Sequence, residues 1–135
     1  QYLGVNFDSG NPLRVFEDPV EAAKKLARYT YATHIKDIEP VTGSPRDWTF
    51  WASAPAGKGI IAIPAVVKAL AANGYDGMLC VELDFLKDND GDEIQGVADA
   101  VQYLKTLVII RVVNGINLDY SQGKQNMQNI VYSFK

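Results

Sequence analysis

The chain has 135 residues, 47% of them hydrophobic, and a formal net charge of −3 at pH 7. That length suits one compact domain and is short for two ordinary ones. The slightly acidic balance, without any run of Lys and Arg, argues against a nucleic-acid or membrane-surface binder, both of which need clustered positive charge.

No apolar stretch reaches the roughly 18 residues of a membrane span, and the N-terminus lacks the charged and apolar regions of a signal peptide. A single cysteine cannot form an internal disulfide, so a cytoplasmic location is the expectation. The chain opens on Gln1 and enters a strand almost at once, as a piece of a longer protein would.

From Tyr2 to Asp8 the large apolar residues Leu3, Val5 and Phe7 alternate with Gly4, Asn6 and Asp8, the period of a strand with one packed face. Ser9-Gly10-Asn11-Pro12 has the chemistry of a loop. Asp18, Pro19 and Glu21 then form a helix start, with a capping carboxylate, a proline at the first position and a possible capping box. Val20, Ala23, Leu26 and Ala27 recur at helical spacing and are expected to form its buried face.

The segment Tyr31 to Asp37 is a second strand, in which Ala32, His34 and Lys36 share a face. A long connection from Ile38 to Ile61 carries the aromatic cluster Trp48, Phe50 and Trp51, expected either to cover a site as a lid or to form a local hydrophobic cluster. Pro64 starts a helix that Asn73-Gly74 ends. Met78 to Phe85 reads as a third strand with Met78, Cys80, Glu82 and Asp84 on one face. Asp88 to Asp92 holds the first ligand positions of an EF-hand but lacks its glycine, which favours a solvated acidic loop. A helix follows from about Glu93, with Ile94, Val97, Ala98, Val101, Leu104 and Leu107 as its packing face. Beyond Thr106, residues 107–118 fit either a hairpin or a continued helix, and the polar segment after Asp119 has no assigned role.

Three strand–helix units imply parallel strands in an α/β fold. Polar groups gather at the C-terminal strand ends, as at the open end of a TIM (β/α)8 barrel, and no dinucleotide or P-loop fingerprint follows a strand. Such a barrel needs eight strands and about 250 residues, so the chain is expected to supply its C-terminal part as residues 1–110, with 111–135 an extension. It would then need the missing N-terminal half or a second chain to close the barrel.

With these motifs placed, the sequence resembles the C-terminal half of the xylose-isomerase-like sugar phosphate isomerase/epimerase family of TIM barrels, strands six to eight, from Leu3 to about Leu107. Asp8-Ser9-Gly10-Asn11-Pro12 resembles its Asp-x-Gly-Asn turn, His34-Ile35-Lys36-Asp37 its His-x-Lys-Asp, and Pro55-Ala56-Gly57-Lys58-Gly59 its Pro-x-Gly-x-Gly. Gly74-Tyr75-Asp76-Gly77 with Val81-Glu82 resembles its Gly-Tyr-Asp-Gly and strand-end glutamate.

The resemblance implies Asp8, His34 and Glu82 as metal ligands, with Glu82 also the acid/base. A fourth ligand, a glutamate, and a partner acid/base would come from earlier strands. Ketose 3-epimerases of the family often carry a histidine near Asn11 and an arginine near Lys36, and this chain departs from that pattern.

Two carboxylates and one imidazole suit a divalent metal such as Mn²⁺, Mg²⁺, Co²⁺ or Zn²⁺. The implied reaction is proton abstraction next to a carbonyl, through an enediolate, on a small-molecule sugar or sugar phosphate. Lys36 would add positive charge beside the substrate, and Asn11, Arg46 and Trp48 are candidate substrate contacts. Each residue also has a plainer reading: Asp8 as a turn cap, His34 as a core hydrogen-bonding group, Glu82 and Asp84 as a solvated strand end, and Cys80 as core filler. The alternatives in function are a metal-dependent dehydratase on the same scaffold and a non-catalytic half-barrel. A related DNA-repair endonuclease activity needs a histidine-rich site, which one histidine cannot build.

Overall fold

The computed structural model describes residues 3–84, 86 and 92–107. Its elements run β1 (Val5–Asp8), α1 (Asn11–Arg14), α2 (Pro19–Leu26), β2 (Thr30–Ile35), β3 (Asp37–Pro40), β4 (Trp51–Ala54), α3 (Ile63–Ala72), β5 (Cys80–Val81) and α4 (Glu93–Leu107). β1, β2 and β5 form a parallel sheet in the order β1-β2-β5, and β3 and β4 form a separate antiparallel pair. This is an incomplete, mostly parallel sheet with flanking helices, the architecture of a partial TIM barrel. The expectations for residues 87–91 and 108–135, including the EF-hand comparison and the C-terminal hairpin or helix, fall outside the described residues.

Local chemistry explains the helix boundaries. Asp18 accepts from the N–H groups of Val20 and Glu21 at 2.8 and 2.9 Å, with Pro19 at the first position. The Glu21 carboxylate, expected to close a capping box, instead meets Lys24 Nζ at 2.6 Å on the exposed side. α3 begins at Ile63, one residue before the expected Pro64, and ends at Asn73 and Gly74, whose φ of +92° is a left-handed stop suited to glycine.

The core lies where Phe7 and Ile35, on one face of the sheet, meet Ala22, Ala23, Ile63, Val66 and Leu70 from α2 and α3. The opposite face presents Asn6, Asp8, Ala32 and His34, all exposed or half-exposed. In β1 the packed face narrows toward the N-terminus: Phe7 is buried, Val5 partly so and Leu3 exposed.

Three expectations change. The Ser9–Pro12 loop runs at Asn11 into the one-turn helix α1. The long Ile38–Ile61 connection holds the β3–β4 hairpin, in which Ile38 pairs with Ser53 and Pro40 with Trp51. The helix faces hold in part: Ala23, Ala27, Val101 and Leu104 are buried as expected, and Leu26 and Ile94 are not. In α2 Pro19, Ala22, Ala23 and the following Ala27 are buried while Leu26 is exposed, and in α4 Gly96, Ala100, Val101 and Leu104 are buried while Ile94 is 72% exposed. Small residues decide the phase in both helices, because they admit the closest approach. A Cβ on Gly96 would sit 3.2 Å from Leu83 Cδ2.

Candidate metal centre

Parallel pairing brings the three strand ends together. Asp8 lies opposite His34 in the β1–β2 register, and His34 opposite Cys80 in the β2–β5 register, so their side chains share a face. Glu82 follows β5, its N–H donating to Ile35 O at 3.2 Å. Ser9 clamps the first two ends: its N–H donates to His34 O at 3.0 Å, its hydroxyl donates to Lys36 O at 2.6 Å, and the same oxygen accepts from Lys36 N at 2.9 Å. Ser53 of β4 does the corresponding work for the third, accepting from Asp84 N at 3.0 Å.

One ligand atom each from Asp8, His34 and Glu82 lie within 4.8 Å of one another. Asp8 spends Oδ1 on the N–H groups of Gly10 and Asn11, at 2.7 and 3.1 Å, and its Oδ2 lies 3.4 Å from Lys36 Nζ. Glu82 Oε1 faces Lys36 Nζ at 3.3 Å, while Oε2 lies 2.8 Å from His34 Nδ1. Oε2 is buried and makes no hydrogen bond. At 2.8 Å the two atoms form an ion pair when the imidazole is protonated, and a carboxylate oxygen and an imidazole nitrogen are also the donor types a divalent cation takes. The donor set therefore fits a divalent ion, and Asp8, His34 and Glu82 form a candidate divalent-metal site.

Lys36 stands beneath this cluster, 3% exposed, with Nζ 2.8 Å from Asp84 Oδ2, 3.3 Å from Glu82 Oε1 and 3.4 Å from Asp8 Oδ2. Burial works to lower its pKa, but the hydrogen bond to Asp84 and the charges of Asp8, Glu82 and Asp84 outweigh it, so it titrates above an ordinary lysine. Lys36 is a fixed positive charge. Glu82 moves the opposite way from a salt-bridged acid: burial raises it, and Asp8 adds to that against the pull of Lys36 and His34. Asp84, opposed by burial but held by Lys36 and Arg14, lies below the usual aspartate value.

The expected substrate contacts are placed differently from one another. Asn11 reaches the site through its backbone N–H on Asp8. Trp48, 63% exposed, has the Arg14 guanidinium 3.7 Å over its ring, and Arg14 Nη2 lies 3.5 Å from the Asp84 oxygen that Lys36 holds. Arg46 is exposed, with its N–H 3.3 Å from Ser44 Oγ, and makes no ion pair among the described residues. Trp51 is 8% exposed and belongs to the core, its indole N–H donating to Pro45 O at 3.2 Å, so it is no lid.

Sequence reasoning missed Arg14, Ser9 and Ser53, and grouped Asp84 with a solvated strand end. Arg14 is the least legible of these. Its side chain is 7% exposed, yet Nε and Nη1 are buried without partners, and nothing in its helical turn announces that.

Residues 1–107 match the family described as the xylose isomerase-like TIM barrel. The chain belongs to that family. Among solved structures it is similar to a xylose isomerase domain protein from Planctomyces limnophilus, at 30% sequence identity, with a TM-score of 0.64 over 78% of this chain. It spans 37% of the length of that protein. No curated protein matches the chain. Within the xylose isomerase-like TIM barrel family, the Asp8–His34–Glu82 cluster is a candidate metal centre of a kind consistent with the broad isomerase and epimerase superfamily.

Proposed function

We propose that this chain is the C-terminal portion, the sixth to eighth βα units, of a metal-dependent sugar or sugar phosphate isomerase/epimerase. The observation that carries the reading is the convergence of Asp8, His34 and Glu82 at the ends of adjacent parallel strands, with one ligand atom of each within 4.8 Å of the others. Family membership supports the reaction class, and the 37% share of the related structure supports the place of these units in a larger barrel.

Asp8 Oδ2, His34 Nδ1 and Glu82 Oε2 would hold Mn²⁺, Mg²⁺, Co²⁺ or Zn²⁺. The ion would supply Lewis-acid polarisation of a carbonyl and its neighbouring hydroxyl. Glu82 is the residue that would take the proton from the carbon beside that carbonyl and return it. Lys36 cannot serve as the base, since its partners keep it protonated; its charge offsets the negative charge that develops on the substrate. The Trp48 ring and the Arg14 guanidinium form the wall beyond Asp84, where the far end of a sugar or its phosphate would lie. Asn11 and Arg46 are the remaining candidate contacts.

Metal analysis of the protein, with His34→Ala and Glu82→Gln beside it, tests the site. Stoichiometric metal that falls in both variants is expected, and unchanged metal content would overturn the reading. For the reaction, solvent deuterium entering the carbon next to the carbonyl without loss of water marks isomerase or epimerase chemistry. A dehydrated product would reassign the site to a dehydratase.

A further inference from the structure

Arg14 closes the one-turn helix α1 with a side chain that is only 7% exposed. A guanidinium stays charged throughout the pH range of proteins and carries several N–H groups, so burying it is costly unless acceptors surround it. Here Nη2 reaches a single carboxylate oxygen, that of Asp84 at 3.5 Å, while Nε and Nη1 are buried without a partner. Asp84 does not depend on that contact, because Lys36 Nζ holds the same oxygen at 2.8 Å.

We infer that Arg14 selects the substrate by charge: with the Trp48 ring moved aside, its guanidinium receives an oxyanion carried by the sugar, either a phosphate ester or a carboxylate. The inference rests on the isomerase/epimerase reading and deepens it, since that reading admits neutral and anionic sugars alike.

The unspent donors are the first support. An arginine that serves the fold spends its N–H groups on carbonyls and carboxylates around it, and Arg14 leaves Nε and Nη1 unspent. An oxyanion brings several acceptor oxygens together with the matching charge, which a guanidinium takes in preference to neutral hydroxyls.

The cover is the second. The Trp48 ring lies 3.7 Å from Arg14 Cζ and so shields the guanidinium from water, yet the residue is itself 63% exposed. Trp48 begins the short turn Trp48–Phe50 before β4, and the two aromatic residues that follow hold that turn: Phe50 packs against the core and edge-on to Trp51, which is 8% exposed. Swinging the indole aside gives up one cation–π contact and leaves the β3–β4 hairpin in place.

Position and charge are the third. Asp84 joins Arg14 to Lys36, whose Nζ lies 3.3 Å from Glu82 Oε1 and 3.4 Å from Asp8 Oδ2. A substrate whose carbonyl end meets the candidate ligands therefore extends past the Asp84–Lys36 pair toward Arg14. The three carboxylates exceed Lys36 and Arg14 by one negative charge, and a divalent ion turns that balance to one positive charge, which favours an anion.

Calorimetric titration of the chain with fructose 6-phosphate, glucuronate and fructose, with and without Mn²⁺, tests the inference. At least one of the two anionic probes should bind about 10-fold or more tighter than neutral fructose, and the tighter of them identifies the oxyanion. Arg14→Met should weaken that probe by about 10–100-fold and leave fructose unchanged. Arg14→Lys, a point charge without the planar fork, should recover part of the loss. Trp48→Leu removes the cover and should bind the anion as tightly as wild type or more so. Equal affinity for the three probes, an anion preference that survives Arg14→Met, or anion binding lost in Trp48→Leu would overturn the inference. An Arg14-dependent anion preference in a chain that takes up no Mn²⁺ would instead refute the metal-centre reading and leave the anion subsite standing.

Discussion

The Asp37 carboxylate and Gly59 are packed so closely that a Cβ on the glycine would overlap the carboxylate. Asp37 is 1% exposed and accepts four backbone N–H groups, Gly57 and Gly59 on Oδ2 at 2.9 Å each, and Ile38 and Ile61 on Oδ1 at 3.0 Å each. One side chain thus seats the whole turn after β4 against the start of β3. Asp37→Asn turns an NH₂ group toward two of these donors and is expected to cost about 2–4 kcal/mol. Gly59→Ala should destabilise through the clash. Urea midpoints of both variants check this, and a shift under half a unit of denaturant for Asp37→Asn would contradict the role.

Lys36 occupies the space between three carboxylates that a cation would also favour. Lys36→Met leaves Asp8, Glu82 and Asp84 without their shared positive charge, and the metal-free protein should lose about 1–3 kcal/mol, the partners' partial exposure reducing the cost of a fully buried break. Added Mn²⁺ should raise the melting temperature of this variant more than that of wild type, since the ion then supplies the missing charge. Equal shifts in the two proteins would argue that the cation does not bind beside Lys36.

Arg14 invites a different expectation. Its Nε and Nη1 are buried without partners, and Asp84 retains Lys36 when Arg14 is removed. Arg14→Met keeps an apolar side chain in its place, gives up the guanidinium over the Trp48 ring, and should change stability by less than about 1 kcal/mol. A larger loss would mean that the guanidinium holds the fold together. Small loss combined with weaker retention of a sugar phosphate would place it on the substrate side.

Tyr75 gives the stability a high-pH limit. It is 6% exposed, its hydroxyl donates to Met78 O at 2.6 Å, and burial raises its pKa above the ordinary 10.0. With the folded value above the unfolded one, the contribution is complete below pH 10 and is lost as pH rises through the folded value, because the unfolded chain releases the proton first. Tyr75→Phe should flatten that alkaline fall in denaturant titrations at successive pH values. An unchanged slope would remove Tyr75 as its source.

The same tyrosine explains part of the motif around it. A Cβ on Gly77 would meet its hydroxyl oxygen at 2.6 Å and its ring at 2.7 Å, and Gly74 carries the positive φ that stops α3. In Gly74-Tyr75-Asp76-Gly77 the spacing of residue types was legible, but the reason for it is a ring folded back on its own turn.

What the sequence determined on its own was local. Side-chain alternation put Asp8 and His34 on one face of their strands, and capping chemistry marked Asp18 and Gly74, since both follow from backbone geometry within a few residues. The approach of Glu82 to His34 followed once parallel units were inferred. Tertiary structure decided the rest. Whether Lys36 faces solvent or three carboxylates, which stripe of α2 and α4 is buried, and that Ser53 reaches Asp84 all depend on contacts between residues far apart in the chain. Close approach at small residues and the need to satisfy buried polar groups settle those contacts, and neither is visible until the elements have packed.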